Sequence, residues 1–475
     1  MFSDLRAFLN QADEVGELKR IDGADPDLDI GVLTELMAER LGPALLFDSL
    51  IGYDKGFRII CNPYLSDKRT SLALGLPLGS TRLRLVKDWR NRLKDFKLLP
   101  PVIVKDGPVR AKIYKGDEID LNIFPTPQWH EFDGGRYIGT GSVCILKDPD
   151  SDWTNLGIYR LQIHEKNLAG IQVEAHTHGK IILEKYWERG LSCPVAVAIG
   201  VDPATFIAAI QRVPIGVSEY EYSGWINGSP VEVMVGETSG LLIPVNSEIV
   251  IEGEVPPPDK EQRDEGPFGE FTGYYAGGVS PKPVLKVKSI MHRADPILHG
   301  APPLRPPQTN NLTFDIVGVP RVWDELDRSI RDVKGVWSML LSGDHIVIVS
   351  ISQKYAGHAK QAGLLVAGMP LAINRFVIIV DDDIDPSNND DVLWALATRV
   401  DPTNSIDIIR DCLSTPLDSM IPPDKRSRGE FTTSKAVINA CKPWGWRKQF
   451  PKDVRSSPEL REKTLKKWKD LFSNS

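Results

Sequence analysis

The chain has 475 residues, too many for a single ordinary core, so two or three domains are expected. With 41% hydrophobic and 25% charged residues it has the composition of a folded globular protein, which argues against disorder and against a fibrous repeat. A formal net charge of −7 argues against a nucleic-acid partner, because phosphate binding needs a basic surface. The five cysteines, Cys61, Cys144, Cys193, Cys412 and Cys441, are scattered and form no CxxC pair. That usage suggests neither a zinc site nor a disulfide framework and fits a reducing cytoplasm. The opening residues carry acid and base early and lack an apolar signal core, and no apolar run reaches the ~20 residues that span a bilayer. No membrane partner is expected.

In chain order, Ile30, Leu33, Met37 and Leu41 recur at helical spacing and Gly42-Pro43 supplies a stop. An apolar run at 44–47 then reads as a strand, and Leu99-Pro100-Pro101 as a seam. The middle third is β-rich: 231–235, 249–252 and 284–288 are short β-type runs set apart by Gly, Pro and Asn. Between Pro194 and Ile210 a strand hands over to a helix, with Asp202 placed as N-cap and Pro203 as its first residue. The proline-rich 301–307 stretch marks the next boundary. Beyond it, strands at 346–350 and 376–380 flank a helix over 358–367, which predicts a parallel pair with a right-handed crossover. Ser457-Pro458 opens a terminal helix bearing Leu460, Leu465, Trp468 and Phe472, expected to dock on its own domain or on a partner subunit. The predicted fold class is therefore a mixed α+β, α/β multidomain chain, divided at 1–110, 111–305 and 306–475.

Four segments carry chemistry. In Glu265-Gly266-Pro267-Phe268-Gly269-Glu270 two carboxylates flank a compact turn. If both face one cavity, mutual repulsion raises one pKa and keeps a proton available near neutrality, as a proton donor requires. On spacing alone, an acidic surface turn with solvated glutamates is the commoner pattern. In Trp153–Gln162, Asn155 and Arg160 interrupt an apolar stretch. A buried arginine needs an anionic partner, for which Glu265 is natural; the same pair also reads as an ordinary structural salt bridge. In Glu174-Ala175-His176-Thr177-His178-Gly179 the two histidines point to opposite sides of an extended segment, so they do not share one metal. One of them, with a carboxylate and an amide oxygen, makes a mixed N/O site for Mn²⁺ or Mg²⁺, or else both are polar surface. Finally, Asp381-Asp382-Asp383-Ile384-Asp385 follows a strand and suggests Mg²⁺-dependent hydrolysis or phosphotransfer. No phosphate-cradling loop accompanies it, and a solvated, helix-capping turn before Pro386 is the plainer reading.

Taken together, these segments resemble the UbiD family of decarboxylases, which use prenylated FMN, over essentially the whole chain. The resemblance is carried by Asp4-Leu5-Arg6-Ala7-Phe8-Leu9 through Gly16-Glu17-Leu18, by Gly216-Val217-Ser218-Glu219, and by Glu265 through Glu270 with Gly273-Tyr274. Val380 through Asp385 and Ser434-Lys435-Ala436-Val437-Ile438-Asn439-Ala440 complete it, the last with Asn439 where the family usually has Asp. The resemblance implies a carboxy-lyase acting reversibly on an aromatic, heteroaromatic or α,β-unsaturated carboxylic acid, releasing CO₂. It implies Arg160, Glu265 and Glu270 as the catalytic set, with Glu270 supplying the proton that replaces CO₂. It implies a metal bridge of Asn155, Glu219 and a histidine. Ungapped counting from Arg160 selects His176, with His178 as the alternative. Flavin contacts are implied at Asn155, Ile158, Tyr159, Arg160, Gln211, Arg212, Val213, Pro214 and Glu219, and a phosphate contact at Arg375. Implied cofactors are prenylated FMN, Mn²⁺ (or Mg²⁺) and K⁺, with a flavin prenyltransferase as supplier. The implied architecture is an N-terminal α/β domain, a central split-barrel flavin domain and a C-terminal α/β domain that joins a homodimer or higher oligomer. A flavin-binding protein without turnover is the rival from another class.

Overall fold

The structure, a computed structural model, describes residues 1–175, 177–211, 213–369 and 374–472. His176 and Arg212 lie outside the described residues, as does the side chain of Phe472. The chain is a mixed α/β protein whose described residues form separate sheets of four, nine, three and five strands. The N-terminal layer begins with a helix, Leu5–Glu14, capped by the Asp4 carboxylate, which accepts the Ala7 N–H. Its apolar face buries Leu5, Phe8, Leu9 and Ala12 against a four-stranded sheet. That sheet runs Leu18–Ala24, Ala44–Leu50, Arg58–Cys61 and then Ile297–Gly300, so its last strand comes from far along the chain. The helical spacing from Ile30 to Leu41 gives the helix Asp29–Ala38. It stops short of Leu41, which adopts φ 47° in the turn that leads through Gly42 into the next strand.

The middle of the chain folds into the nine-stranded sheet, whose pairs are all antiparallel. Its main path starts at Thr154–Gly157, passes Ser142–Lys147, Cys193–Ile199, Ile249–Val255, Ser280–His292 and Leu168–Gln172, and ends at Arg160–Glu165. The two ends of this path are joined in sequence by Ile158 and Tyr159 alone. The sheet must therefore curl until its edges approach each other. At its flank the strand Cys193–Ile199 hands over to the helix Pro203–Ile210, and Asp202 accepts the Thr205 N–H as the N-cap.

The C-terminal sheet orders Val333–Ser338, Ile346–Ile351, Phe376–Asp381, Thr432–Ala440 and Ile406–Leu413. Ile346–Ile351 and Phe376–Asp381 are parallel with the helix His358–Gly368 between them, the arrangement expected of a crossover unit. The proline-rich stretch does not lead straight into that sheet. It is followed by a 21-residue helix, Thr309–Ser329, which buries Ile316, Val319, Trp323 and Leu326 and packs on both the helix Arg82–Arg92 and the strand Val333–Ser338. Pro320 inside it, and Gly318 two residues earlier, obscure the helical period. The terminal helix Pro458–Lys467 starts at Ser457 as expected. Docking on its own domain is not what the structure shows: Leu460, Leu465 and Trp468 remain more than half exposed. Charges on most of its turns, Arg461, Glu462, Lys463, Lys466 and Lys467 among them, leave too narrow an apolar stripe to bury within the chain.

A close approach pins the N-terminal layer to the central one. A Cβ added at Gly31 would lie 1.7 Å from the carbonyl oxygen of Trp129, and neither backbone has room to yield. Gly31→Ala is expected to destabilise the protein by about 1–3 kcal/mol through overpacking, read as a lower thermal midpoint. An unchanged midpoint would show that the helix Asp29–Ala38 is not seated against Trp129.

Candidate active site

Arg160 opens the last strand of the nine-stranded path, and its guanidinium joins both glutamates of the 265–270 segment. Its Nε and Nη2 donate to Glu265 Oε1 and Oε2 at 2.8 and 2.9 Å, a bidentate clamp, while Nη1 donates to Glu270 Oε1 at 2.7 Å. Glu265 ends the strand Gln262–Glu265, and Gly266, at φ 95°, turns the chain back so that Glu270 reaches the same guanidinium. Both carboxylates are buried rather than solvated, so the segment is not an open surface turn. Burial is the largest influence on Glu270 and pushes its carboxyl up to about 7; Arg160 opposes that shift, while Glu174 and Glu265 add to it. Burial also disfavours the charged form of Arg160, but its hydrogen bonds to Glu265 and the two carboxylates outweigh that and raise its pKa. The result is a fixed cation clamped to one glutamate and a second carboxyl that exchanges a proton near neutrality.

Three side chains outside the expected set build this site. Phe268 lies under the Arg160 guanidinium, 5.1 Å from ring centroid to cation, and stacks on Tyr137 at 3.9 Å. Gln162 donates from Nε2 to the Gly134 carbonyl at 2.9 Å. It lies two residues beyond Arg160, on the same face of the strand, which is the one signal in the sequence that points to it. Tyr137 carried no such signal, because it arrives from a distant loop.

A second cluster forms at the opposite end of the strand path. Glu219 opens the helix Glu219–Asn227 and is fully buried; it accepts the Leu156 N–H at 2.7 Å and the Asn155 Nδ2 at 2.9 Å. Burial pushes its carboxyl up to about 7. His178 Nδ1 stands 4.0 Å from Glu219 Oε1, its ring edge-on to Trp153, and burial lowers its pKa so that the neutral imidazole is favoured. Asn155 Oδ1 is buried with no hydrogen-bond partner, and so is Nε2 of Gln211, which precedes Glu219 by eight residues. An orphaned amide oxygen, a buried carboxylate and a neutral imidazole fit a divalent cation of the Mn²⁺ or Mg²⁺ type. Of the two histidines weighed from the sequence, His178 is the one that reaches this cluster among the described residues.

The remaining expected residues divide. Ile158 and Tyr159 form the link between the two ends of the strand path, and Tyr159 Oη accepts the Gly179 N–H at 3.1 Å, securing the helix His178–Trp187. Val213 is buried and Pro214 exposed in the segment that precedes Glu219. Arg375 stands apart: its Nη2 donates to the buried Asp418 at 2.5 Å within the C-terminal domain, and no described hydrogen bond joins it to either cluster. Two members of the acidic run, Asp381 and Asp383, are already paired with cations. Arg399 meets Asp381 at 3.5 Å and clamps Asp383 at 2.9 Å, Lys442 reaches Asp383 at 2.7 Å, Gln353 donates to Asp381, and Asp385 accepts from Ser387. Among the described residues no group of three or more His, Cys, Asp or Glu side chains is arranged to hold a metal, and the bonds of Asp381, Asp383 and Asp385 fit the plainer, structural reading of that run.

Family models for 3-octaprenyl-4-hydroxybenzoate carboxy-lyase match its N-terminal domain over 9–89, its Rift-related domain over 102–306 and its C-terminal domain over 316–440. An uncharacterized protein of Archaeoglobus fulgidus is 32% identical over 99% of this chain and 98% of its own length. The UbiD-class enzyme HmfF of Pelotomaculum thermopropionicum, solved with FMN, superposes with a TM-score of 0.87 at 27% identity, covering 98% of this chain and all of that one. An evolved dimeric form of the same enzyme, solved with prFMN, has a TM-score of 0.83 at 26% identity, covering 98% of this chain and all of that one. The vanillic acid decarboxylase of Sedimentibacter hydroxybenzoicus, in open form, gives 0.85 at 27% identity, covering all of this chain and 99% of that one. With three successive domain models and full-length likeness on the same side, the chain belongs to the UbiD family of carboxy-lyases.

Proposed function

We propose that this chain is a non-oxidative decarboxylase of an aromatic, heteroaromatic or α,β-unsaturated carboxylic acid, working with prenylated FMN and with Glu270 as proton donor. The observation that carries this reading is a buried Glu270 carboxyl, pushed up to about 7, held 2.7 Å from the guanidinium that clamps Glu265. Loss of CO₂ from an sp² carbon leaves an electron pair with no intrinsic sink, and prenylated FMN, when bound, supplies that sink. The chain's own residues do the rest. Arg160 orients the substrate carboxylate, with its own charge fixed by Glu265. Glu270, protonated for about half of the time near neutrality, returns a proton to the carbon that CO₂ leaves. The dry surroundings of Phe268 and Tyr137 exclude water that would compete as proton source.

Asn155, His178 and Glu219 would hold Mn²⁺ or Mg²⁺ at the cofactor phosphate, K⁺ would offset further charge there, and Ile158, Tyr159, Gln211, Val213 and Pro214 would line the flavin. Arg375, committed to Asp418, is left out of that set. The curled central sheet is read as a split barrel and the chain as cytoplasmic, in keeping with five free cysteines. A flavin prenyltransferase would supply the cofactor. A homodimer through the C-terminal domain would cover Leu413 and Ile408 on the outer strand together with the terminal helix.

Co-expression with a flavin prenyltransferase, followed by the intact mass of the released cofactor and CO₂ release from a panel of aromatic acids, tests the assignment. Prenylated FMN and turnover are expected; unmodified FMN with no turnover under Mn²⁺ and K⁺ would sink it. Glu270→Gln is expected to retain the cofactor and lose about 10²–10⁴-fold in kcat, and near-normal turnover would remove Glu270 from the proton step. The same variant has a signature without cofactor. A carboxyl raised from 4.5 to about 7 binds more protons folded than unfolded between those values, so it favours folding at low pH and loses that contribution as pH rises through 7. Glu270→Gln should therefore remove up to about 3 kcal/mol of the decline in stability between pH 4.5 and 7.5. An identical slope in both proteins would contradict the raised carboxyl. For the second cluster, Glu219→Gln is expected to weaken Mn²⁺ binding to the flavin-free protein by roughly tenfold or more, measured calorimetrically. Equal affinity would place the cation elsewhere.

A further inference from the structure

We infer that Gln162 is a positioning residue for the proton-donating step: its side-chain amide ties the 134–137 and 265–268 segments together and so holds the turn that carries Glu265 and Glu270. The inference rests on the reading of Glu270 as proton donor. Gln162 is only 5% exposed and touches neither glutamate carboxylate; its partners are all parts of the surrounding scaffold. Nε2 donates to the Gly134 carbonyl at 2.9 Å, while Oε1 accepts from the Gly266 N–H at 3.3 Å and from Tyr137 Oη at 3.4 Å. The Gly134 N–H in turn donates to the Pro267 carbonyl at 2.8 Å, so two loops distant in sequence are zipped together at one side chain.

What that side chain controls follows from chain geometry. Gly266 is the residue after Glu265 and lies four before Glu270, with Phe268 between them against Tyr137 and Arg160. Three of the six residues from 265 to 270 are Gly or Pro, and with Gly266 at φ 95° the turn has no regular hydrogen-bonded structure of its own. Its shape is set from outside, by Gln162 and by the loop Gln162 holds. A buried amide left without partners is costly, so the three bonds act together in defining one arrangement. If the amide is removed, the turn relaxes and water reaches Glu270. The charged groups that act on Glu270, namely Arg160, Glu174 and Glu265, are all still present. The change to be read is therefore loss of burial, the largest cause of the raised carboxyl.

Two variants test this from opposite sides. Gln162→Met keeps the length of the side chain and removes its polar end. Gly135→Ala keeps Gln162 but places a Cβ 2.7 Å from its Nε2, which displaces the amide. In holoenzyme made with a prenyltransferase, both are expected to retain bound flavin and keep KM within about twofold. Both should lower kcat, by about tenfold or more for Gln162→Met and less for Gly135→Ala. The ionisation governing kcat should move down toward that of an ordinary carboxyl. In cofactor-free protein, the part of the pH–stability slope that Glu270→Gln removes should shrink in both variants. Unchanged kcat, pH profile and slope, with only a lower unfolding midpoint, would overturn the inference and leave Gln162 a structural residue. Should Gln162→Met fail to fold, Gly135→Ala carries the test alone. If Glu270→Gln itself turns over normally, the proton-donor reading has failed. The cofactor-free slope still reports whether Gln162 positions Glu270.

Discussion

Two residues, Ile158 and Tyr159, impose the constraint on which the rest of the central domain depends. The strands they join, Thr154–Gly157 and Arg160–Glu165, are the first and last on the main path of the nine-stranded sheet. Three peptide units reach roughly 11 Å at most, so the path cannot lie flat and must curl until its ends are neighbours. The natural twist of an antiparallel sheet makes such curling inexpensive. Asn155 then stands on one edge and Arg160 on the other. Each edge recruits a glutamate from elsewhere: Glu219 from the start of a helix, and Glu265 from a strand paired to the long Ser280–His292. The two candidate clusters are thus built on strands that the Ile158–Tyr159 link keeps close in space.

The balance of charge differs between the carboxyls of the candidate site and those of the acidic run. Around Arg160 a single cation faces two buried carboxyls. Glu265 takes two of the guanidinium's hydrogen bonds, while Glu270, with a single bond from Nη1, is pushed by its burial up to about 7. Around Asp383 the balance is reversed: Arg399 and Lys442 both bond to it, and its carboxyl is held down to about 2. The acidic run looks the more catalytic of the two in a linear reading, yet Asp381 and Asp383 within it are already held by cations. Its role is to tie the end of the strand Phe376–Asp381 to its neighbours in the C-terminal sheet.

The 266–270 turn illustrates how an irregular segment is made specific. With Gly266, Pro267 and Gly269 it cannot build a regular ladder, so its conformation is borrowed from Gln162, from the loop bearing Gly134 and Tyr137, and from Phe268 in contact with Arg160. The helix Thr309–Ser329 borders the same segment: Gln308, just before it, donates to the Phe271 carbonyl at 3.0 Å. The Glu270 turn therefore sits where central and C-terminal domains meet, and the environment of its proton depends on how they pack.

Local patterns were legible without the fold. The Asp202 cap, the strand–helix–strand unit from 346 to 381 and the Ser457 helix start depend on neighbours within a few residues, and the structure contains all of them. So was the pairing of Arg160 with an acidic partner, because a buried guanidinium demands one. The helix Thr309–Ser329 was hidden because Pro320 breaks the local signal, and only packing between two domains holds it in place. His178 stands 4.0 Å from Glu219 because it opens the helix His178–Trp187, a placement that ungapped counting along the chain cannot register. Gln162, Tyr137 and Phe268 act through contacts 25 to more than 100 residues apart. Composition and periodicity carry information over one element at a time, whereas burial, and with it the proton affinity of Glu270, exists only once the edges of the sheet have met.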